Sequence, residues 1–415
     1  MSRSDAGGGA ARASHQLHCA LRADGHASRM SVGVKRSADR AVMGPSGALA
    51  AAWSVARPGL ASVLMRLQRA PDGAWRSLAA FPSGLDRAIN RCEADVVNLH
   101  WIGDETMSVE EIGRITKPVV WTMHDMWPFC GAEHYAADDA CARWRGGYAP
   151  RAKQAGIVGL DLDAWVWRRK RNAWRPFQLV APSRWLADCA RSSALMQGWP
   201  ISVVPYVVDA DVFRPRDDAT TRAEWNLPAG APLLLFGAAS GTRDRRKGWD
   251  LLVAALDVLA PARRDVVCVV LGEKEPVPPP RLPVPVRWLG RVADDEALAR
   301  LYAMADVTVV PSRQDNLPLF AIEAQACGCP VVAFATSGLP DAIEHRVTGY
   351  LAEPFAPADL ARGILWVLAD KQRHRQLRAQ ARERAERLWS PSAVAGQYLE
   401  VYAAAIETHR ARTVR

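Results

Sequence analysis

The 415-residue sequence predicts an α/β protein of two doubly wound domains, each a mainly parallel sheet with helices on both faces. Three observations predict it. Apolar runs of strand length alternate with helix-like stretches, the pattern of strand–helix–strand crossovers. The alternation occurs twice, on either side of a polar, turn-rich segment at 207–225. The chain is too long for one ordinary core and suits two of about 200 residues.

Taken in order, GGGAARASHQLHCAL (7–21) reads as a glycine-rich turn running into a helix. Gly8 and Gly9 let backbone approach a phosphate or sugar closely, or simply make a tight turn. A strand should precede them, but MSRSDA (1–6) is short and polar. The expectation is a degraded first strand or a start that lies upstream. Residues 94–101 and 118–125 read as strands ending in His100–Trp101 and His124–Asp125. A histidine beside an aspartate at a strand end can donate to phosphate or to a reacting hydroxyl, or be structural. Trp127, His134 and Tyr135 crowd the same segment; His100 and Trp101 suit sugar stacking and plain packing equally. Residues 161–177 carry tryptophans among arginines. They either pack indoles inward or lie against lipid headgroups. Strands at 177–183 and 201–207 complete the first half.

The second half has strand-like runs at 232–238, 265–272, 286–290, 305–312 and 330–335, with helices at 248–260 and 296–305. The proline-rich 276–286 reads as a stiff surface loop. In 236–252 a strand leads through a basic loop to Lys247–Gly248 and a helix. Cations entering a helix N-terminus make a diphosphate clamp, with Lys247 first and Arg246 and Arg243 behind it. The other reading is a solvated basic loop. The tail is charged and helical from about 369, breaks at 388–393 and ends in an apolar-striped helix.

The most informative stretch is SRQDNLPLFAIEAQACGCPV (312–331). It places Asp315 just before a helix, Pro318 in its first turn, and Glu323 just inside. Helix-head N–H groups attract phosphate. Carboxylates flanking it can accept from hydroxyls on either side of a diphosphate, which describes a nucleotide sugar. The other reading is an amphipathic helix with an Asp cap and a solvated Glu. Each of these clusters falls at the carboxyl end of a strand, so one shared cleft is expected.

Net charge is +9 and the pI about 9.3, which fits anionic substrates, a membrane surface or nucleic acid. No zinc-finger spacing or RNA-binding aromatic signature is present, so no nucleic-acid partner is expected. Eight scattered cysteines suit a reducing cytoplasm, and Cys327 and Cys329 read as core thiols. Asp138, Asp139 and Asp161 lack calcium-loop spacing, and the cations named above serve instead, so no metal or other cofactor is expected. No apolar run is read as approaching the ~18 residues of a membrane span.

Together these residues resemble the retaining glycosyltransferases of family 4, of GT-B fold, over nearly the whole chain. SRQDNLPLFAIEAQACGCPVVAF (312–334) is the most specific part. The resemblance implies that Glu323 binds the nucleotide ribose and Asp315 faces the donor-sugar hydroxyls. Backbone around Leu317, Pro318, Leu319 and Phe320 would hold the phosphate. Lys247 would contact the diphosphate, with Arg243 or Arg246 as partner, and His124 would sit near the reacting carbon. Asp315 stands where the family commonly has glutamate, and Pro205-Tyr206-Val207-Val208-Asp209 where it often has Pro-Asn-Gly-Val-Asp. Residues 124–135 and 143–148 are similar to a subgroup building bacterial exopolysaccharide, colanic-acid-like and O-antigen chains. The implied architecture is an acceptor domain (1–207) with Gly8, Gly9, His100, Trp101, Asp125 and His134 on its acceptor side. A donor domain (208–385) and a C-terminal helix (386–415) packing back on the first domain complete it. The implied activity is sugar transfer from a nucleotide-diphosphate donor to a glycan or polyprenyl-linked acceptor in the cytoplasm, with peripheral contact to the inner membrane surface as an option. A sugar-nucleotide epimerase of the same fold and a catalytically silent assembly scaffold are the alternatives.

Overall fold

The computed structural model describes residues 1–70, 72–149, 157–216, 219–237, 241–292 and 294–413. By its internal contacts the chain divides into two compact units. One is Met1–Val204 with Ala395–Arg415, the other Pro205–Val394.

The strands of the first unit are β1 (Ser2–Ser4), β2 (Met30–Val34), β3 (Val42–Met43), β4 (Gln68–Arg69), β5 (Val97–Leu99), β6 (Val119–Thr122), β7 (Val158–Gly159), β8 (Gln178–Ala181) and β9 (Ile201–Val203). β1-β2-β3 and β5-β6-β8-β9 are parallel groups, and β4 pairs with β7 antiparallel. Two backbone bonds join the parallel groups. The Arg3 N–H donates to the Trp101 carbonyl at 2.8 Å, and the His100 N–H to the Met1 carbonyl at 2.9 Å. The strand order is therefore β3-β2-β1-β5-β6-β8-β9, reversing between β1 and β5. The polar Ser-Arg-Ser does form the leading strand, held by ladder bonds where an apolar run was sought. The core centres on Leu99, Trp121, Phe129, Trp144 and Leu179, all buried. On the helix Pro391–Thr413, Tyr398 shares a hydrogen bond with the Thr122 hydroxyl at 3.1 Å, and the Tyr402 hydroxyl accepts from Asn98 at 2.9 Å.

Segment 161–177 turns two of its three indoles inward. On the helix Leu162–Ala173, Trp167 is buried, as is Trp174 just beyond. Lys170 is wholly buried under the Trp127 ring, and its ammonium donates to the carbonyls of Trp127, Cys130 and Gly131. Burial pulls its pKa down to about 7. The chain's exposed apolar helix lies elsewhere. Contrary to the reading that no run approaches a membrane span, Ala48–Met65 is 18 residues long and apolar enough to cross a membrane by length and composition. Arg57 and Pro58 interrupt that run in the sequence and disguise it.

The second unit holds β10 (Leu233–Gly237), β11 (Val267–Leu271), β12 (Val286–Gly290), β13 (Val307–Val310), β14 (Val331–Phe334) and β15 (Gly349–Ala352). They form one parallel sheet in the order β12-β11-β10-β13-β14-β15, reversing between β10 and β13. β11, β13 and β14 are buried throughout, which is why they read as unbroken apolar runs. Cys327 and Cys329 are buried free thiols.

Candidate functional site

In doubly wound sheets, the crevice for ligands opens where the strand order reverses, because the loops leaving the two central strands diverge to opposite faces. In the second unit those loops follow β10 and β13. The first carries Lys247 at the end of a single 3-10 turn, Arg245–Lys247, capped by the Asp244 side chain. Gly248 then turns the chain at φ +71°, and a Cβ there would meet the Pro311 carbonyl oxygen at 1.9 Å. Only glycine permits both the left-handed turn and this approach. The contact brings Lys247 against the loop after β13.

There the Lys247 ammonium lies 2.6 Å from Asp315 Oδ2, and the Arg246 guanidinium 3.7 Å from Oδ1. Arg246 also donates to the Gln314 carbonyl at 3.0 Å. The Ser312 hydroxyl donates to the same carboxylate at 3.3 Å, and the Asp315 N–H donates to the Ser337 hydroxyl at 2.9 Å. Asp315 is 6% exposed. Burial alone would push its carboxyl up, but Lys247 and Arg246 together hold it below the usual range. A short-armed carboxylate and two partly exposed cations thus form one cluster. Arg243 is not part of it. Its side chain is 88% exposed and reaches Glu273 at 3.5 Å. Ala238–Ser240, the start of the same loop, lie outside the described residues.

The helix after Asp315 runs Leu319–Ala326, with Pro318 as its N-cap, one position earlier than the sequence suggested. Its leading amides, those of Leu319 and Phe320, have no carbonyl four residues back within the helix. Leu317, Pro318 and Leu319 are buried. The Phe320 ring packs on β10 so closely that a Cβ on Gly237 would lie 2.4 Å from it. Glu323 is not solvated: it is wholly buried and accepts from the Tyr302 hydroxyl at 3.3 Å. Tyr206, standing where the resemblance anticipated Asn-Gly, accepts from the Asn316 side chain at 3.3 Å.

The first unit treats its own reversal point differently. Gly8 caps the helix Gly9–Ala23 in extended conformation, and a Cβ on Gly8 or Gly9 would meet nothing within 4 Å. The fold itself does not require glycine at either position. His100 Nδ1 and His124 Nε2 share a hydrogen bond at 3.1 Å. Burial holds the pKa of His124 down at about 4, with Asp125 opposing, and that of His100 well below normal. Both rings are therefore neutral at physiological pH. Asp125 accepts from the Trp101 indole at 2.7 Å and bonds His134 Nδ1 at 2.6 Å, while His134 Nε2 meets the Ser77 hydroxyl at 2.7 Å. Ser77, His134 and Asp125 are 3%, 4% and 6% exposed. This chain of bonds fixes the loop after β6 and sets Trp101 against His134, ring centroids 5.1 Å apart.

A family model described as "Glycosyl transferases group 1" matches residues 217–384. The D-inositol 3-phosphate glycosyltransferase of Xylanimonas cellulosilytica is 37% identical in an alignment of 370 positions that covers 81% of this chain and 78% of that protein. The chain belongs to the group 1 glycosyltransferases. The D-inositol 3-phosphate glycosyltransferase 1 of Catenulispora acidiphila is 31% identical over 81% of this glycosyltransferase and 78% of the relative. Several relatives match over shorter spans. That of Segniliparus rotundus, 37% identical over 188 residues, takes in 43% of this chain and 41% of its own length. Among solved structures, Anabaena HepE in complex with UDP-glucose superposes with TM-score 0.67 at 16% identity, over 97% of this chain and 98% of that one. Sucrose-phosphate synthase from Thermosynechococcus elongatus gives 0.64 at 21% identity, over 98% and 96%. The architecture of the glycosyltransferase is of the GT-B kind.

Sequence reasoning missed several residues that hold these side chains in place. Ser77 and Tyr302 carry no local motif and are found only through the partners they contact; Asn316 lies within 312–331, but the spacing does not single out its side chain. The structure also gathers His15, Cys19 and Asp39, a constellation hidden by the distance in sequence between helix and loop. The Cys19 sulfur lies 3.9 Å from both His15 ring nitrogens, hence along the lone pair of neither.

Proposed function

We propose that this glycosyltransferase moves a sugar from a nucleoside-diphosphate donor held by the second unit to a hydroxyl of a glycan or lipid-linked acceptor. The observation that carries the reading is the Lys247–Arg246–Asp315 cluster at the strand-order reversal, beside the head of the helix Leu319–Ala326. Two cations and the leading amides suit a diphosphate, and they offset the charge that grows on it as the glycosidic bond breaks. Asp315, kept ionised, accepts from donor-sugar hydroxyls, and Glu323 from the ribose. His124, neutral, offers an uncharged hydrogen-bonding edge on the first unit. Asp315 is held by Lys247 and Arg246 as an acceptor for donor hydroxyls, and front-face transfer with retention of configuration is the proposed route.

The uncharged His100–His124 pair favours an unphosphorylated hydroxyl acceptor, as in surface-polysaccharide assembly. A second reading, a phosphorylated inositol acceptor, is favoured by the names of the relatives. The test is a thermal-shift and calorimetric screen of the full chain over uridine, guanosine and adenosine diphosphates and their sugar conjugates. A true donor at a hundred times its Kd should stabilise the fold by about 2.7 kcal/mol. Mass spectrometry then looks for sugar joined to a glycan-lipid or to inositol 3-phosphate. Stabilisation by none of the nucleotides overturns the proposal. Free, altered sugar would make the protein an epimerase, and binding without turnover a scaffold.

A further inference from the structure

His15 and Cys19 lie one turn apart on the helix Gly9–Ala23 and so share a face. Asp39, on the loop between β2 and β3, meets that face. One ligand atom from each of the three lies within 4.8 Å of the other two. His15 Nε2 is 3.2 Å from Asp39 Oδ2 and 3.9 Å from Cys19 Sγ. A tetrahedral zinc ion with ordinary bond lengths sets such pairs about 3.4 Å and about 3.6 Å apart. The loop is built to present one carboxylate oxygen. Asp5, buried, accepts from the Arg36 and Ser37 N–H groups at 2.8 and 2.9 Å, which pins the start of the loop. The Ala41 N–H donates to Asp39 Oδ1 at 2.8 Å, and the half-exposed Arg22 approaches the same oxygen at 3.9 Å. Oδ2 is left facing His15. Metal-ligating carboxylates are commonly held in this way by a hydrogen bond. An ion pair accounts for His15 and Asp39 but makes no use of the thiol.

We propose that His15 Nε2, Cys19 Sγ and Asp39 Oδ2 bind a zinc ion, with water in the fourth place. Imidazole and thiolate suit zinc, whereas magnesium and calcium require shells of oxygen. The exposed Cys19 side chain turns about χ1 to bring its sulfur onto the ion. Binding releases the thiol proton, and that of a protonated His15, to solvent. The thiolate and carboxylate then balance the two charges of the ion. The loaded site therefore adds no positive charge beside Arg22 and beside Lys35, whose ammonium donates to the Asp39 carbonyl at 2.7 Å. The ion staples the helix after β1 to the loop after β2, two elements that leave adjacent parallel strands. The site belongs to the first unit, shares no residue with the donor cluster and does not depend on the proposed reaction.

The test takes the untagged full chain, reduced and stripped with a chelator, and titrates it with zinc against a chromophoric competitor. One equivalent should bind, and excess magnesium should not displace it. His15→Gln, Cys19→Ser and Asp39→Asn should each weaken zinc binding at least about tenfold. Cobalt(II) in place of zinc should give a sulfur-to-metal charge-transfer band that Cys19→Ser abolishes. Zinc at a hundred times its Kd should raise the melting temperature of the parent by about 5 °C, and that of Cys19→Ser far less. Without metal, Cys19→Ser should melt with the parent, because the side chain is exposed. Should either of the other variants unfold, Cys19→Ser and the cobalt spectrum decide. Absence of stoichiometric zinc overturns the proposal. Zinc binding indifferent to the variants, or a cobalt complex without the sulfur band, overturns it too.

Discussion

The two units reverse their strand order at equivalent points and fill those points with opposite electrostatics. In the second, an ionised carboxylate sits between Lys247 and Arg246. In the first, two imidazoles share a hydrogen bond and are kept neutral by burial. Topology therefore decides where a site forms, and the residues on two loops decide what it can hold. A charged point suits a diphosphate, whose binding must be offset by cations; a neutral one suits a hydroxyl.

Four experiments break or sharpen that contrast, beginning with the largest effect. Lys247→Met should cut kcat/KM by about a thousandfold, near 4 kcal/mol of lost charge stabilisation. It should also lower the melting temperature of the free protein, because Asp315 stays buried with one cation fewer. Adding Asp315→Asn should restore melting but not turnover; restored turnover would show that the lysine serves the fold alone. Gly248→Ala should destabilise by about 3 kcal/mol or more, roughly 10 °C in Tm, through its forced turn and the Pro311 clash. An unchanged melting curve would mean the two loops are not locked. Glu323→Ala should weaken nucleoside-diphosphate binding 10- to 100-fold by calorimetry, about 1.5–3 kcal/mol for hydrogen bonds to a charged group. Unaltered affinity removes it from the site.

The fourth experiment concerns the neutral pair. The folded pKa of His124 is about 4, below its unfolded value near 6.5, so the unfolded chain binds the extra proton between those limits. Its contribution to stability is complete above pH 6.5 and is lost as pH falls toward 4, by up to about 1.4 kcal/mol per pH unit. His100 acts in the same direction. Urea denaturation at stepped pH should show this slope, and His124→Asn should flatten it. A slope the variant leaves untouched would mean the ring is charged in the native state.

Much of the second unit was legible because its strands are buried on both faces and announce themselves as apolar runs. Asp315, Lys247 and Glu323 were placed by a proline, a glycine and their spacing. The choice of Arg246 over Arg243 was not legible: both lie in one basic loop, each in its own 3-10 turn, and only the second turn lies against Asp315. The burial of Glu323 under Tyr302 depends on a helix 21 residues away. In the first unit, β1 escaped because three polar residues become a strand through pairing with β2 and backbone bonds to 100 and 101. The helix Ala48–Met65 escaped because periodicity marks a stripe without saying which side faces the core.

The glycine touching Pro311 has a consequence for anyone wishing to alter which sugar is accepted. Its missing side chain acts as a dowel between two otherwise separate segments. Libraries that randomise 312–317 can succeed only if 247, 248 and 311 stay untouched, since moving either segment displaces the other. On the proposed function, donor preference is engineered by the residues around that joint, never through it.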